Sequence, residues 1–402
     1  MELVSSVWHV VSASLVFLIG IIVCKIIAKP LHLKFKRVVV LYIWHTILCV
    51  VYLIYAINNV SDAVGYYTNS LSNDTYFDFG TAGVTLLTSI FSYYIGLSIL
   101  GTFLVFNIFG SIGLLVFDAS LRVATSNKAK NIRRLGTLIV FLPSVSFWSA
   151  AIGKDSLSFM AASLALWAAL SLSRRIPLMV IAILVMLLVR PHMAGLIVIS
   201  VGVAIALQRK VSIKQRAFIG GISLAGIALL VPFALNFSGA ADAQDMTEYI
   251  QRRQGYNMEG GGGIDIASMS PPMQFFTYLF RPLPFEAHSL FSFAASLDNV
   301  VLLFLFIIGG REMIKRKKVN FPESRIFLWV YSSLSLVVLS LTTANLGISV
   351  RQKWMFAPML IFLFLSAIGK PVQRSRSSAK TATWASTGYI KTGVRHNPSR
   401  EP

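Results

Sequence analysis

Apolar and polar residues follow one another along this chain in long blocks, not with a short period. Apolar runs read as membrane-crossing helices at about 7–24, 39–57, 97–117, 135–151, 157–173, 176–189, 193–207, 217–236, 298–310, 325–343 and 354–368. The pattern predicts an all-α fold, a polytopic transmembrane helix bundle of about eleven spans over residues 1–368. The tail, 369–402, scatters Lys and Arg among Ser, Thr and Pro and reads as a basic disordered segment. Residues 79–96 are too polar for a span and are expected along the membrane interface, anchored by Phe91, Tyr93 and Tyr94. The longest loop, about 237–297, runs from a polar start through four glycines into an aromatic stretch ending at Arg281-Pro282. It is expected to act as a hinged lid or binding loop.

Composition supports the span reading. The 402 residues are 55% hydrophobic and 13% charged, about half the charged share of a soluble domain. Cys24 and Cys49 both fall in apolar runs, which leaves no disulfide framework and no cysteine metal site. The net charge of +20 is informative through its placement. No basic stretch precedes the first apolar run, whereas Lys25, Lys29, Lys34, Lys36 and Arg37 follow it, so it reads as a span and not as a cleavable signal. All but seven of the 36 basic residues fall in alternate loops and the tail, the seven being Lys154, Arg190, Arg252, Arg253, Arg281, Arg351 and Lys353. This sorting predicts the N-terminus outside and the C-terminus inside a cytoplasmic membrane, with attraction to anionic lipid of the inner leaflet. It removes the case for nucleic acid as a partner.

Candidate chemistry collects at span ends on the side poor in basic residues. One tip reads Leu142-Pro143-Ser144-Val145-Ser146-Phe147-Trp148-Ser149-Ala150-Ala151-Ile152-Gly153-Lys154-Asp155-Ser156, with Asp155 and Ser156 suited to cap the next helix. The runs flanking Arg190-Pro191-His192 are short; fourteen residues at helical rise make about 21 Å against a hydrocarbon core of about 30 Å. Arg190 and His192 are therefore expected in a protein-lined recess, since a lipid-facing cation there is costly. Arg281 is expected to face inward from its aromatic helix, near Glu286 and His288. Arg351 lies in the last turn, beside Lys353 and Trp354, which suit an interfacial anchor. Arg252 and Arg253 read as solvent-facing.

The loop after the second span holds Asp62, Asp74 and Asp78 and no Lys or Arg. Asp62 thus reads as a general base or metal ligand, whereas Asp155, beside Lys154 at a helix start, is in a setting that weakens a base. Span interiors read as almost free of charge, unlike an ion-coupled transporter. A one-sided ring of arginines with a few carboxylates suits an anionic headgroup anchored in lipid. Arginine forks hold phosphate oxygens and stabilise charge growing on a leaving pyrophosphate.

Three motifs carry a resemblance. Asp62-Ala63 and Tyr66-Tyr67, followed by an interfacial helix, resemble the first outer loop of GT-C type membrane glycosyltransferases. The segment from Pro143-Ser144 through Phe147-Trp148-Ser149 to Gly153-Lys154-Asp155, with Tyr278-Leu279-Phe280-Arg281-Pro282, resembles bacterial polysaccharide-assembly proteins, including Wzy-type repeat-unit polymerases. Asn345-x-Gly347 with Arg351-Gln352 is similar to an Arg-containing turn near the C-terminus of such polymerases. The resemblance implies glycosyl transfer from a polyprenyl-linked donor such as an undecaprenyl one, at the outer face, in company with other polysaccharide-assembly membrane proteins. Under it, Asp62, Lys154, Asp155 and His192 are catalytic candidates and Arg190, Arg281 and Arg351 hold phosphate. Asp74, Asp78 and Glu286 are acidic support, since the GT-C pattern carries a second acid. A divalent cation stays open as a cofactor. Repeat-unit polymerase, single-sugar transferase and a non-enzymatic flippase or exporter all stay open.

Overall fold

A computed structural model of the chain describes residues 3–72, 74–207, 246–258, 262–315 and 324–369, with isolated positions between 220 and 228. The expected span at 217–236 falls almost wholly outside the described residues, and the tail beyond 369 does so entirely. Every element described is helical; the one β-type contact is an isolated bridge between Gly263 and Asn345. In chain order the helices are α1 (Val7–Ala28), α2 (Phe35–Asn58), α3 (Asp62–Asn69), α4 (Thr81–Ser89), α5 (Ile99–Thr125), α6 (Lys130–Val140), α7 (Pro143–Ser149) and α8 (Lys154–Ala169). There follow α9 (Ile176–Val189), α10 (Pro191–Ala206), α11 (Met246–Met258), α12 (Pro271–Phe280), α13 (Leu290–Lys315), α14 (Ser324–Thr342), α15 (Leu346–Gln352) and α16 (Ala357–Ala367).

Five of the described helices, α1, α2, α5, α13 and α14, are long and apolar enough to cross a membrane. A sixth crossing arises if α15, with its following turn, and α16 count as one span bent by 67°. The apolar run 135–151 is not one helix. It breaks after Val140, and Pro143 opens the separate short helix α7 at a position where its missing N–H costs nothing. Residues 79–96 form α4 and a π-helical turn over 90–94, in line with a separate helical segment there.

The core sits between α5 and α8. The most apolar window of α5 is 78% buried, against 22% for α1, so α5 is central and α1 peripheral. From Ser156 to Ala169 every residue of α8 is buried. Its serines and alanines let the two backbones approach closely. At Gly113 of α5 an added Cβ would lie 2.9 Å from Phe159 and 3.0 Å from the Met160 backbone, so only glycine fits the crossing. Next to this core, α9 and α10 are joined by Arg190 alone, whose N–H donates to the Met186 carbonyl at 2.7 Å. That junction, the start of α8, the start of α3 and the end of α15 converge at one end of the bundle.

Candidate functional site

At this end lies a cavity of about 420 Å³. Four cationic side chains, Lys154, Arg190, Arg253 and Arg351, and two carboxylates, Asp62 and Asp155, line it together with Tyr52, Tyr66, Trp148 and Gln352. Each charge arrives by a local device. Ser61 caps α3 through its hydroxyl, which accepts from the Val64 N–H, and this puts Asp62 in the first turn. Gly153 precedes α8 at φ 149° and ψ −174°, a backbone region that favours glycine, and turns the chain so that Lys154 and Asp155 open the helix at the cavity. Asn345 caps α15 by accepting from the Ile348 N–H at 3.2 Å, which sets Arg351 near that helix's end. The long loop braces the same turn, because Ile264 donates to the Ala344 carbonyl at 2.9 Å and Leu346 to that of Gly262 at 2.8 Å.

The charges interlock across segments far apart in sequence. Arg190 Nη2 donates to Asp155 Oδ1 at 2.6 Å, and Arg351 Nη1 to Asp62 Oδ2 at 2.8 Å. Arg351 Nε stands 4.0 Å from the other oxygen of Asp155, so one guanidinium spans both acids. Asp62 is 64% exposed at the mouth, whereas Asp155 is 18% exposed and deeper. Arg190 Nε is buried and makes no hydrogen bond to the described residues. Lys154 forms no ion pair among the described residues. Burial, and next to it Arg190, pushes the Lys154 ammonium down to about 8, with Asp155 and Asp62 acting in the opposite direction. Burial also raises the Tyr66 hydroxyl to about 12, which keeps it a neutral donor.

The structure thus brings together Asp62, Lys154, Asp155, Arg190 and Arg351. The other sequence candidates do not line the cavity. Arg281 does not line the cavity; its Nη2 and Nε reach Glu286 Oε1 at 2.6 and 2.8 Å, and Glu286 Oε2 accepts the Leu283 N–H at 2.7 Å. Partial burial alone would raise the Glu286 carboxyl, but these bonds hold it below the usual range. Arg281 and Glu286 thus staple a loop outside the cavity. His192 opens α10 beside Arg190 but is not among the cavity residues, and His288 is exposed. Asp74 and Asp78 are exposed and also outside the cavity; Asp78 accepts the N–H of its neighbour Phe79. The acid found near Asp62 is Asp155.

Two further expectations need correction. Asp155 does not cap α8; it accepts from Arg190 and stands 4.0 Å from Arg351, and Ser156 donates to the Gly153 carbonyl. Arg252 and Arg253 are both exposed, as expected; Arg252 pairs with Glu248 on its own helix, and Arg253 also borders the cavity. α11 is held there by Gln254 and Asn257, which donate to the Leu341 and Thr342 carbonyls at 2.8 and 2.7 Å. Helical spacing could have found Arg253, because Gln254 and Asn257 form one face and Arg253 borders it. Lys353 is no interfacial anchor either. It is fully buried and donates at 2.7 Å to the Leu279 carbonyl and to Asn299 Oδ1.

The helix interiors also carry more ionisable groups than expected. Asp298 of α13 is buried and accepts the Ser144 N–H at 2.6 Å; His45 of α2 is buried between Asn107 and Ser149 at 2.6 and 3.0 Å. Each is satisfied by protein groups.

A divalent cation does not suit this donor set. Asp62 and Asp155 are each engaged by arginine, and among the described residues no three His, Cys, Asp or Glu side chains come together. What the cavity offers is a surplus of cations, one of them with a buried donor unpaired among the described residues, which suits a polyanionic oxygen ligand. Comparison of the chain with protein-family models, with curated proteins and with solved structures finds no match.

Proposed function

We propose that this cavity receives the phosphate or pyrophosphate of a polyprenyl-linked sugar and that the chain transfers or polymerises the sugar in surface polysaccharide assembly. The observation that carries the reading is the clustering of Lys154, Arg190, Arg253 and Arg351 in one cavity beside Asp62, at the end of a bundle of apolar helices. In this mechanism donor phosphate oxygens replace carboxylates as partners of Arg190 and Arg351. Release from Arg351 leaves Asp62 able to accept a proton. An acceptor sugar hydroxyl attacks the anomeric carbon of the donor, its proton passes to Asp62, and the bond to the (pyro)phosphate oxygen breaks. The departing anion is stabilised by the arginines and Lys154. Asp155 bridges the two guanidinium groups in the free protein.

The reading includes a topology of about eleven spans in the cytoplasmic membrane, N-terminus out and C-terminus in, with the cavity outside. Reporter fusions at Asp74, Gly262 and Ser349 are then expected on the outer side and fusions at Lys128, Lys214 and Ser377 in the cytoplasm. A cytoplasmic signal at Gly262 overturns the site's role.

The function is tested by lipid and glycan analysis of a deletion strain. Accumulation of single lipid-linked repeat units supports polymerisation. Unchanged chain length with a missing sugar supports single-sugar transfer of the GT-C kind. Substrate trapped on the inner face would replace both with a flippase or exporter.

A further inference from the structure

A second cationic site lies at the far end of α2. Arg37 and the cavity residue Tyr52 are fifteen residues apart on that helix, about 22 Å at helical rise, which approaches the depth of a hydrocarbon core. Here a groove of about 300 Å³ is lined by Lys34, Lys36, Arg37, Val40 and Arg122. Its floor is built. Asp118, 3% exposed, accepts both Nη2 and Nε of Arg37, at 2.7 and 3.3 Å, and Nε of Arg122 at 2.9 Å. The Arg37 guanidinium also lies 4.9 Å from the centre of the Phe141 ring, which fixes its plane. Among the described residues Asp118 is the only acid paired with these cations, and no carboxylate pairs with Lys34 or Lys36. Four cations thus face one carboxylate.

We propose that this groove binds the phosphate headgroup of an anionic phospholipid, with the acyl chains lying along α2. The apolar continuation argues for lipid over a soluble phosphate. Val40, which lines the groove, begins a row with Ile43, Ile47 and Ile54, all exposed and three, four and seven residues apart, on one face of the helix. A headgroup in the groove leaves its chains against that row. With Nε and Nη2 spent on Asp118, Arg37 has Nη1 for the headgroup, and Lys34 and Lys36 supply uncompensated charge.

The test uses the purified full-length protein in detergent, with native mass spectrometry and the thermal unfolding midpoint as readouts. Added ligands are phosphatidylglycerol, phosphatidylcholine with the same chains, and inorganic phosphate. Phosphatidylglycerol is expected to remain bound and raise the midpoint, and the other two to do neither. Lys34→Gln with Lys36→Gln should weaken phosphatidylglycerol binding about tenfold or more. Lys29→Gln with Lys130→Gln removes equal charge from the same end but outside the groove, and should leave binding intact. The proposal is overturned if phosphatidylcholine binds equally, if inorganic phosphate alone stabilises as well, if the Lys34/Lys36 variant binds normally, or if the control pair loses as much.

Discussion

Two carboxylates in this molecule are each approached by two arginines, at opposite ends of the bundle, and they are built for different work. Asp118 is closed: Arg37 grips both its oxygens, Arg122 comes from one turn along the same helix, and the acid is almost wholly buried. Asp155 is open: Arg190 holds one oxygen, Arg351 stands 4.0 Å from the other and is shared with Asp62, and Arg190 keeps a buried donor without a partner among the described residues. A closed pair fixes helices. An open one, facing a cavity with two more cations, can exchange a carboxylate for another anion. The Arg281–Glu286 pair belongs with the closed kind, because its acid also accepts a backbone N–H.

Substitutions at the open end should have the largest effect. Arg190→Ala or Arg351→Ala should each lower glycan product by on the order of a hundredfold or more at normal protein level, since each loses a charge-assisted contact in a partly dry site. Asp62→Asn should lose product to a similar degree yet still bind donor lipid, because an amide cannot take the proton. Near-normal product from both arginine variants would remove the anionic-donor reading.

Asp118→Asn should act on folding and not on chemistry. It leaves two cations facing a neutral group, a cost of about 3 kcal/mol, near the low end for buried pairs because Arg122 is half exposed. A lower thermal midpoint with unchanged product per folded molecule is expected. A normal midpoint with lost product would place Asp118 with the open kind.

Asp155→Asn should fall between these extremes. The amide oxygen can still accept from Arg190, but the charge is lost, about 1.5 kcal/mol or roughly a tenfold drop in product. If Asp155→Asn is dead while Asp62→Asn works, the roles of the two acids are exchanged.

The smallest effect is expected from pH. Lys154 titrates near 8, below the ordinary lysine value, so it is charged below that pH and neutral above it. Donor binding should be strongest below pH 8 and weaken several-fold as pH rises through it. A Lys154→Arg variant, charged throughout, should lose this step; an unchanged step in that variant assigns it to another group.

The helical class and most apolar segments were legible in the hydropathy pattern, because in a membrane the backbone must satisfy its own hydrogen bonds within each segment. Asp62, Lys154, Asp155, Arg190 and Arg351 were legible as candidates because a charge at a span end is costly without a partner. Their partners were not legible. Asp62 and Arg351 are 289 positions apart, and no local pattern encodes that contact. Lys353 looked like an interfacial anchor because Trp354 adjoins it, and only the packing of α12 and α13 against it makes it a buried donor to Leu279 and Asn299. Arg281 and Arg351 looked alike in sequence, each an arginine at a helix end. Glu286, five residues on, claims the first, whereas the second reaches across the bundle to the cavity. Which segments are apolar helices and where charge is tolerated follow from transfer energies of individual residues and so can be read from residue order alone. Which charges meet, which are closed off and which stay open to a ligand depend on angstrom-scale distances between segments far apart in the chain, and these are set by packing.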